Sequence, residues 1–270
     1  MSDFSIDGWR IESHDILDST QALLRERLAI EAADRLLVIA DEQRRGRGRR
    51  HSGWGSPRGG LWLSFSLRTS APADPFLGLI VALAARDAVA SFLGGRGKSL
   101  RLKWPNDLVV GEGKWGGVLA EAETHRTEGM LLLFGVGLNL DIPRERLLEI
   151  AEIPEEATSV RAEIGWSPSP AAVLSRMLAR LDRHLGDDAR QGGRDRTRRR
   201  VAAQMSTLGR RIRWRALDGS LCTGEAEELT PEGALRVRLD AGARGEPPGA
   251  TTGAERILRA EDVMHVRSLR

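Results

Sequence analysis

Apolar positions recur along the chain in two rhythms. At helical spacing, Ala22-Leu23-Leu24 and Leu28 follow Asp18-Ser19-Thr20, whose short oxygen-bearing side chains cap free N–H groups and predict a helix start. Residues 76–93 are apolar almost all round, as in a helix packed inside a core, and Leu174, Leu178, Leu181 and Leu185 mark one stripe of a helix at 170–185. Short apolar runs predict strands at Leu36–Ala40, Leu61–Leu67, Leu100–Trp104, Leu108–Val110, Trp115–Ala122 and Met130–Leu140. The last of these is expected to break at Gly135 and Gly137, and 130–138 is a candidate edge for pairing with a second copy. Gly111-Glu112-Gly113 reads as a tight turn, and Gly- and Arg-rich Gln43–Gly60 as neither helix nor strand.

From 186 to 200 the pattern predicts a loop that continues into a solvated helix. Beyond Arg211 it changes to short alternating strands at Ile212–Trp214, Leu221–Ala226, Leu235–Leu239 and Val263–Val266, with 241–254 as a hairpin loop. Strands joined by short turns from 61 to 140 favour an α+β fold, a mixed, largely antiparallel sheet with helices packed on it. A small C-terminal β-barrel follows. The expected division is residues 1–205 and 206–270, in keeping with 270 residues at roughly 100–200 per domain.

Composition narrows the classes. With 41 % hydrophobic and 29 % charged residues the chain has material for a core and is not a disordered tail. The most apolar run, Phe76–Leu93, carries Arg86 and Asp87, and the N-terminus lacks the pattern of a signal peptide. The single cysteine, Cys222, excludes an internal disulfide and a Cys-rich zinc site. A cytoplasmic protein without a membrane partner is the expectation. Net charge is only +3, so the placement of the arginines matters more than their number.

Four segments carry candidate chemistry. Gln43-Arg44-Arg45-Gly46-Arg47-Gly48-Arg49-Arg50 with Trp54 combines close backbone approach with several guanidiniums suited to phosphate or carboxylate, and equally suits a basic surface touching nucleic acid. Lys103-Trp104-Pro105-Asn106-Asp107 can wall a small ligand or be an ordinary turn. Gly113-Lys114-Trp115-Gly116-Gly117 is no P-loop, because Trp115 stands where Ser or Thr is required. Gly135-Val136-Gly137-Leu138-Asn139 is either a packing bulge or a close approach to the backbone.

Taken in order and spacing, these segments resemble the biotin protein ligases: Asp18-Ser19-Thr20, Gly46–Arg50 with Trp54, Lys103–Asp107, Lys114–Gly117 with Glu121, and Gly135–Asn139. The resemblance is detailed over about residues 13–140 and looser to Ala260–Arg267. Only about 17 residues precede the Asp-Ser-Thr signal, so the similarity is to the short class without an N-terminal winged helix, and no DNA partner is expected.

The resemblance implies a class II synthetase-like biotin/lipoate ligase catalytic domain with an SH3-like C-terminal barrel. It implies ATP-dependent formation of biotinyl-5'-AMP and transfer of biotin to a lysine of a biotin carboxyl carrier domain, with Mg2+, by a monomer or homodimer. Ser19, Thr20, Gln43, Arg47 and Arg49 would hold biotin, with Gly116 and Gly117 lining that pocket and Lys114 shared with the phosphates. Arg50, Trp54, Lys103, Asn106, Asn139 and Arg267 would serve ATP, with Trp54 on the adenine. Asp107 would hold the metal, and Lys114, Arg49 and Asp107 would stand at the reaction centre. The glycine-jointed loop at 44–58 would order on ligand and seal the anhydride from water. A lipoate-protein ligase or related acyltransferase is the near alternative, and a nucleic-acid-binding protein using 44–50 and 194–200 the distant one.

Overall fold

A computed structural model describes residues 2–69, 74–125, 129–149, 156–217, 219–240 and 254–269. The expected hairpin loop at 241–254 falls almost wholly outside them. In chain order the elements begin with β1 (Ser2–Ile6), β2 (Trp9–Leu17), α1 (Thr20–Ile30), β3 (Leu36–Arg47), β4 (Gly53–Ser56), β5 (Leu61–Thr69) and α2 (Phe76–Leu93). They continue with β6 (Leu100–Lys103), β7 (Asp107–Val110), β8 (Gly113–His125), β9 (Gly129–Leu138), α3 (Arg144–Leu148), α4 (Val160–Ile164), α5 (Pro170–Asp188) and α6 (Gly193–Gln204). Strands β10 (Arg210–Ala216), β11 (Leu221–Leu229), β12 (Leu235–Leu239), β13 (Glu255–Leu258) and β14 (Val263–Ser268) complete the chain.

The large sheet runs β1-β2-β3-β5-β9-β8-β7-β6, with β4 paired to β3. Among the described strands of this sheet only the β2–β3 pairing is parallel, so the fold is the expected largely antiparallel α+β arrangement. Helix α2 buries eleven of its side chains against the sheet and α5, and Leu174, Leu178 and Leu181 of α5 are buried. By length and apolarity Phe76–Ser99 would suffice to cross a membrane, but here it packs as a core helix. The C-terminal strands form a second antiparallel sheet, β13-β12-β11-β10-β14, whose Trp214 and Val237 join the same core cluster as α2. Trp104 anchors this sheet to the first, donating from Nε1 to the Gly233 carbonyl at 2.9 Å.

The structure corrects three expectations. Gln43–Gly60 is not wholly irregular, since β3 extends to Arg47 and β4 pairs back on it across a bulge between Gln43 and Gly46. Strand β9 is not broken at its glycines and is no edge: it lies between β5 and β8, and the side chains of Gln21 from α1 and Trp54 from β4 come against Gly135 and Gly137. Strands β1 and β2 precede the Asp-Ser-Thr cap without any sequence expectation. Inside β2, Glu12 is buried yet accepts two hydrogen bonds from Arg27 and one from His14 Nε2, which compensates the charge and masks the alternation.

Candidate active site

One cavity of about 590 Å³ opens between α1, the β3–β4 flap, the β6–β7 turn and the central strands β8 and β9. Its inner end is polar. Ser19 caps α1 by accepting from the Ala22 N–H, which brings Ser19, Thr20 and Gln21 to the cavity wall. Gln43 Oε1 accepts from Thr20 N at 2.8 Å and from Thr20 Oγ1 at 3.0 Å. Gln43 Nε2 donates to Ser56 Oγ at 2.8 Å, and Ser56 Oγ donates to the Trp54 carbonyl at 3.1 Å. Thr20 Oγ1 also lies 2.9 Å from Ser64 Oγ on the buried floor strand β5.

Proton accounting along this chain has one consistent direction. With the Thr20 hydroxyl proton given to Gln43, Ser64 donates to Thr20, and one Gln43 N–H is left over for a ligand acceptor. Beside it, Gln21 Nε2 donates to Glu121 at 2.8 Å, while Gln21 Oε1 is buried without a protein partner and lies close to Gly135 and Ser64. A buried acceptor without a partner costs stability unless something donates to it. The inner end therefore offers at least one donor, from Gln43, and one acceptor, from Gln21, in the wall of the same cavity.

The other end is cationic. Lys114, at the start of β8, ion-pairs with Asp107 Oδ1 at 2.5 Å and sits 4.9 Å from the centre of the Trp54 ring. Arg49 donates to Asn106 Oδ1 at 3.4 Å and also to the Ala260 carbonyl. Burial pulls the Arg49 guanidinium below the ordinary arginine value and neighbouring Arg50 adds to this, against the opposing charges of Asp107 and Glu261. Arg50 reaches the carbonyls of Glu261 and Val263 at 3.0 and 3.2 Å from a left-handed backbone, φ 54°. Arg47, Lys103 and Arg267 line the same space, and Arg267 pairs with Glu156 at 3.2 Å. Asn106 is fixed by exchange with Val118, its Nδ2 donating to that carbonyl at 2.9 Å.

Of the expected site residues, all but Gly116 line this cavity. A side chain at Gly116 would instead meet Leu138 and Leu108 in the core, so its smallness serves packing. Gly117 faces Trp54. Sequence reasoning missed Gln21, Ser56 and Ser64, whose part depends on cross-strand register. It also missed Glu156 and Ala157, which lie within 144–165, a stretch without functional signal in the sequence, and bridge to Lys114. Asn139 Nδ2 donates to the Thr158 carbonyl at 2.8 Å, which fastens the Glu156–Thr158 backbone beside Lys114. In the second basic stretch of the distant nucleic-acid alternative, Arg194, Arg198, Arg199 and Arg200 pair with Asp188, Asp195 and Asp187, while Arg196 donates to the Gln191 carbonyl at 3.3 Å.

A cavity that joins buried polar groups to a cluster of guanidiniums and an ammonium, on a largely antiparallel sheet, defines a small-molecule and anion-binding fold. Residues 14–139, which build most of it, match the model of the Biotin/lipoate A/B protein ligase family. The chain is 28 % identical over 268 residues to a biotin–[acetyl-CoA-carboxylase] ligase of Mycobacterium tuberculosis, covering 96 % of this chain and 91 % of that one. It is 28 % identical over 240 residues to the bifunctional ligase/repressor BirA of Bacillus subtilis, covering 87 % and 71 %. A solved biotin protein ligase from Aquifex aeolicus, in complex with biotin and ATP, shares the fold at a TM-score of 0.74 and 23 % identity, with 96 % of this chain and 99 % of that chain covered.

Proposed function

We propose that this protein is a biotin protein ligase: it joins biotin to ATP as biotinyl-5'-AMP with release of pyrophosphate, then transfers biotin to a lysine of a biotin carboxyl carrier domain with release of AMP. The observation that carries this reading is the pairing of the two cavity ends. The free Gln43 N–H and the orphaned Gln21 Oε1 match a cyclic urea, which has a carbonyl acceptor and N–H donors. The dithiolane ring of lipoate has neither and would leave Gln21 Oε1 unpaired, which favours biotin over the lipoate alternative.

In the first step, the biotin carboxylate oxygen bonds to the α-phosphorus as the bond to the leaving pyrophosphate breaks. Two anions must approach, and Arg47, Arg49, Arg50 and Lys114 around the cavity supply the compensating charge. No side-chain nucleophile is needed; the contribution of the chain is positioning and charge. In the second step the carrier lysine amine attacks the acyl carbon, loses a proton and expels AMP. Asp107, beside Lys114, is the carboxylate that would hold Mg2+. The ion would lower the charge on the phosphates. Asn139 and Arg267 would serve the nucleotide side, and residues 206–270 would act as the unit that presents Arg267. The partner is the carrier domain of a biotin-dependent carboxylase, and the place is the cytoplasm, where ATP is available.

The test is incubation with ATP, Mg2+, biotin and a biotin carrier domain, followed by the intact mass of the carrier. The expected result is a gain of one biotinyl group that requires ATP and the carrier lysine, with no gain when lipoate replaces biotin. Modification by lipoate alone would overturn the reading.

A further inference from the structure

Trp54 does not hang freely over the cavity. Its indole lies against two glycines that are direct register partners, Gly117 on β8 and Gly137 on β9, and Gly137 in turn pairs with Trp62 on β5. A methyl group at Gly137 would stand 2.6 Å from Trp54 Nε1 and 2.8 Å from its Cε2. At Gly117 it would stand 3.3 and 3.4 Å from the far edge of the ring. On its other contacts the ring packs with Trp62, Ile142 and Leu147, so it has no apolar space into which to retreat. Its Nε1 is buried without a partner, a cost accepted to keep the ring in this slot. Over the exposed part of the ring stands the Lys114 ammonium, steered there also by Asp107.

We infer that Gly137, with Gly117 as its weaker partner, is a positioning residue: the bare backbone pair seats Trp54, and Trp54 with Asp107 sets where the Lys114 ammonium meets the reacting phosphate. This deepens the ligase reading and rests on it for the activity readout. It also assigns the two glycines to the indole, not to biotin. Substitution at Gly137 pushes the ring toward the cavity and Lys114 off its place. A misplacement of about 1 Å in such a group costs roughly tenfold to a hundredfold in rate.

The experiment compares wild type, Gly137→Ala, Gly117→Ala, Trp54→Leu and the double variant Trp54→Leu/Gly137→Ala. Two quantities are read: the rate of biotinyl-AMP formation at saturating biotin, and the biotin Kd. Gly137→Ala is expected to lower the rate roughly tenfold or more and to change the biotin Kd less than about threefold, with a smaller loss for Gly117→Ala. In the Trp54→Leu background the same glycine substitution is expected to change the rate by less than about twofold, because the group it displaces is gone. An equal loss in both backgrounds, or a loss confined to the biotin Kd, overturns the inference. Thermal unfolding identifies a variant that does not fold, and Gly117→Ala then carries the comparison. The Trp54 indole N–H resonance, assigned by its disappearance in Trp54→Phe, gives a readout independent of activity. If wild type makes no biotinyl-AMP, the functional reading fails, whereas the slot stands or falls on whether that resonance shifts in Gly137→Ala.

Discussion

Replacing Lys114 by Met keeps the length of the side chain and removes its charge. Two losses follow. The phosphate loses a charge-assisted hydrogen bond, about 1.5–3 kcal/mol. Asp107, now unpaired, also faces the incoming anion. A phosphate oxygen in contact with the former ammonium position would lie on the order of 5 Å from Asp107, because the Lys114 Nζ–Asp107 Oδ1 separation is 2.5 Å. At an effective dielectric constant near 20 that repulsion is roughly 3 kcal/mol, and partial exposure of the pair reduces it to about 1–2 kcal/mol. Lys114→Met is therefore expected to weaken ATP binding by roughly a hundredfold or more. Adding Asp107→Asn should recover about five- to thirtyfold of that loss. Calorimetry with ATP in the presence of biotin and without Mg2+ measures both effects. If the second substitution weakens ATP binding further, Asp107 does not act through Lys114 in the way described.

Three further outcomes are expected. Thr20→Val removes a hydroxyl that bonds both Gln43 and Ser64, and should weaken biotin binding by about 1–3 kcal/mol while leaving the ATP Kd unchanged, as titration calorimetry with each ligand would show. Ser19→Ala deletes the α1 cap and should lower stability by about 1 kcal/mol in denaturant unfolding. Hydrogen bonds from Arg27, opposed by burial and aided by His14, hold the Glu12 carboxyl below its ordinary 4.5. The unfolded chain then takes up the proton first, so the stabilisation is complete above that value and disappears as the pH falls through the lower folded one. Melting curves across this acid range should show a shallower decline for Glu12→Gln than for wild type.

The helix start at Ser19, the buried helix α2, the stripe on α5 and the central strands were legible because each follows a period that burial enforces. The chemical segments were legible as residue types: lysine, arginines, Asn-Asp and the glycines all reach one cavity. What they touch was not. Gly135 and Gly137 are visible as glycines in a buried strand, yet the visitor differs at each, Gln21 for one and Trp54 for the other. Strand β2 was hidden because Glu12 and His14 occupy positions that an apolar pattern would mark, and their partners lie 15 and two residues away from Glu12. The Glu156–Thr158 bridge carries no local signal, since its bonds to Lys114 and Asn139 are largely backbone ones.

The site is assembled where the regular elements stop. Ser19, Thr20 and Gln21 stand at the first turn of α1, Gln43 and Ser56 face each other across a bulge, Asn106 and Asp107 close the β6–β7 turn, and Lys114 lies beside the shift between β7 and β8. At such places backbone donors and polar side chains are released from ladder pairing and can turn toward a ligand. The uninterrupted strands β5 and β9 contribute a floor, and there the needed property is small size or a single hydroxyl: Ser64, Gly135 and Gly137. This division explains why hydrophobic period reveals the sheet but not the site. It also explains why the hydrogen-bond chain from Ser64 through Thr20 and Gln43 to Ser56 matters: it ties the rigid floor to the flap that carries Arg47, Arg49 and Arg50, so that the polar and cationic ends of the cavity keep one geometry.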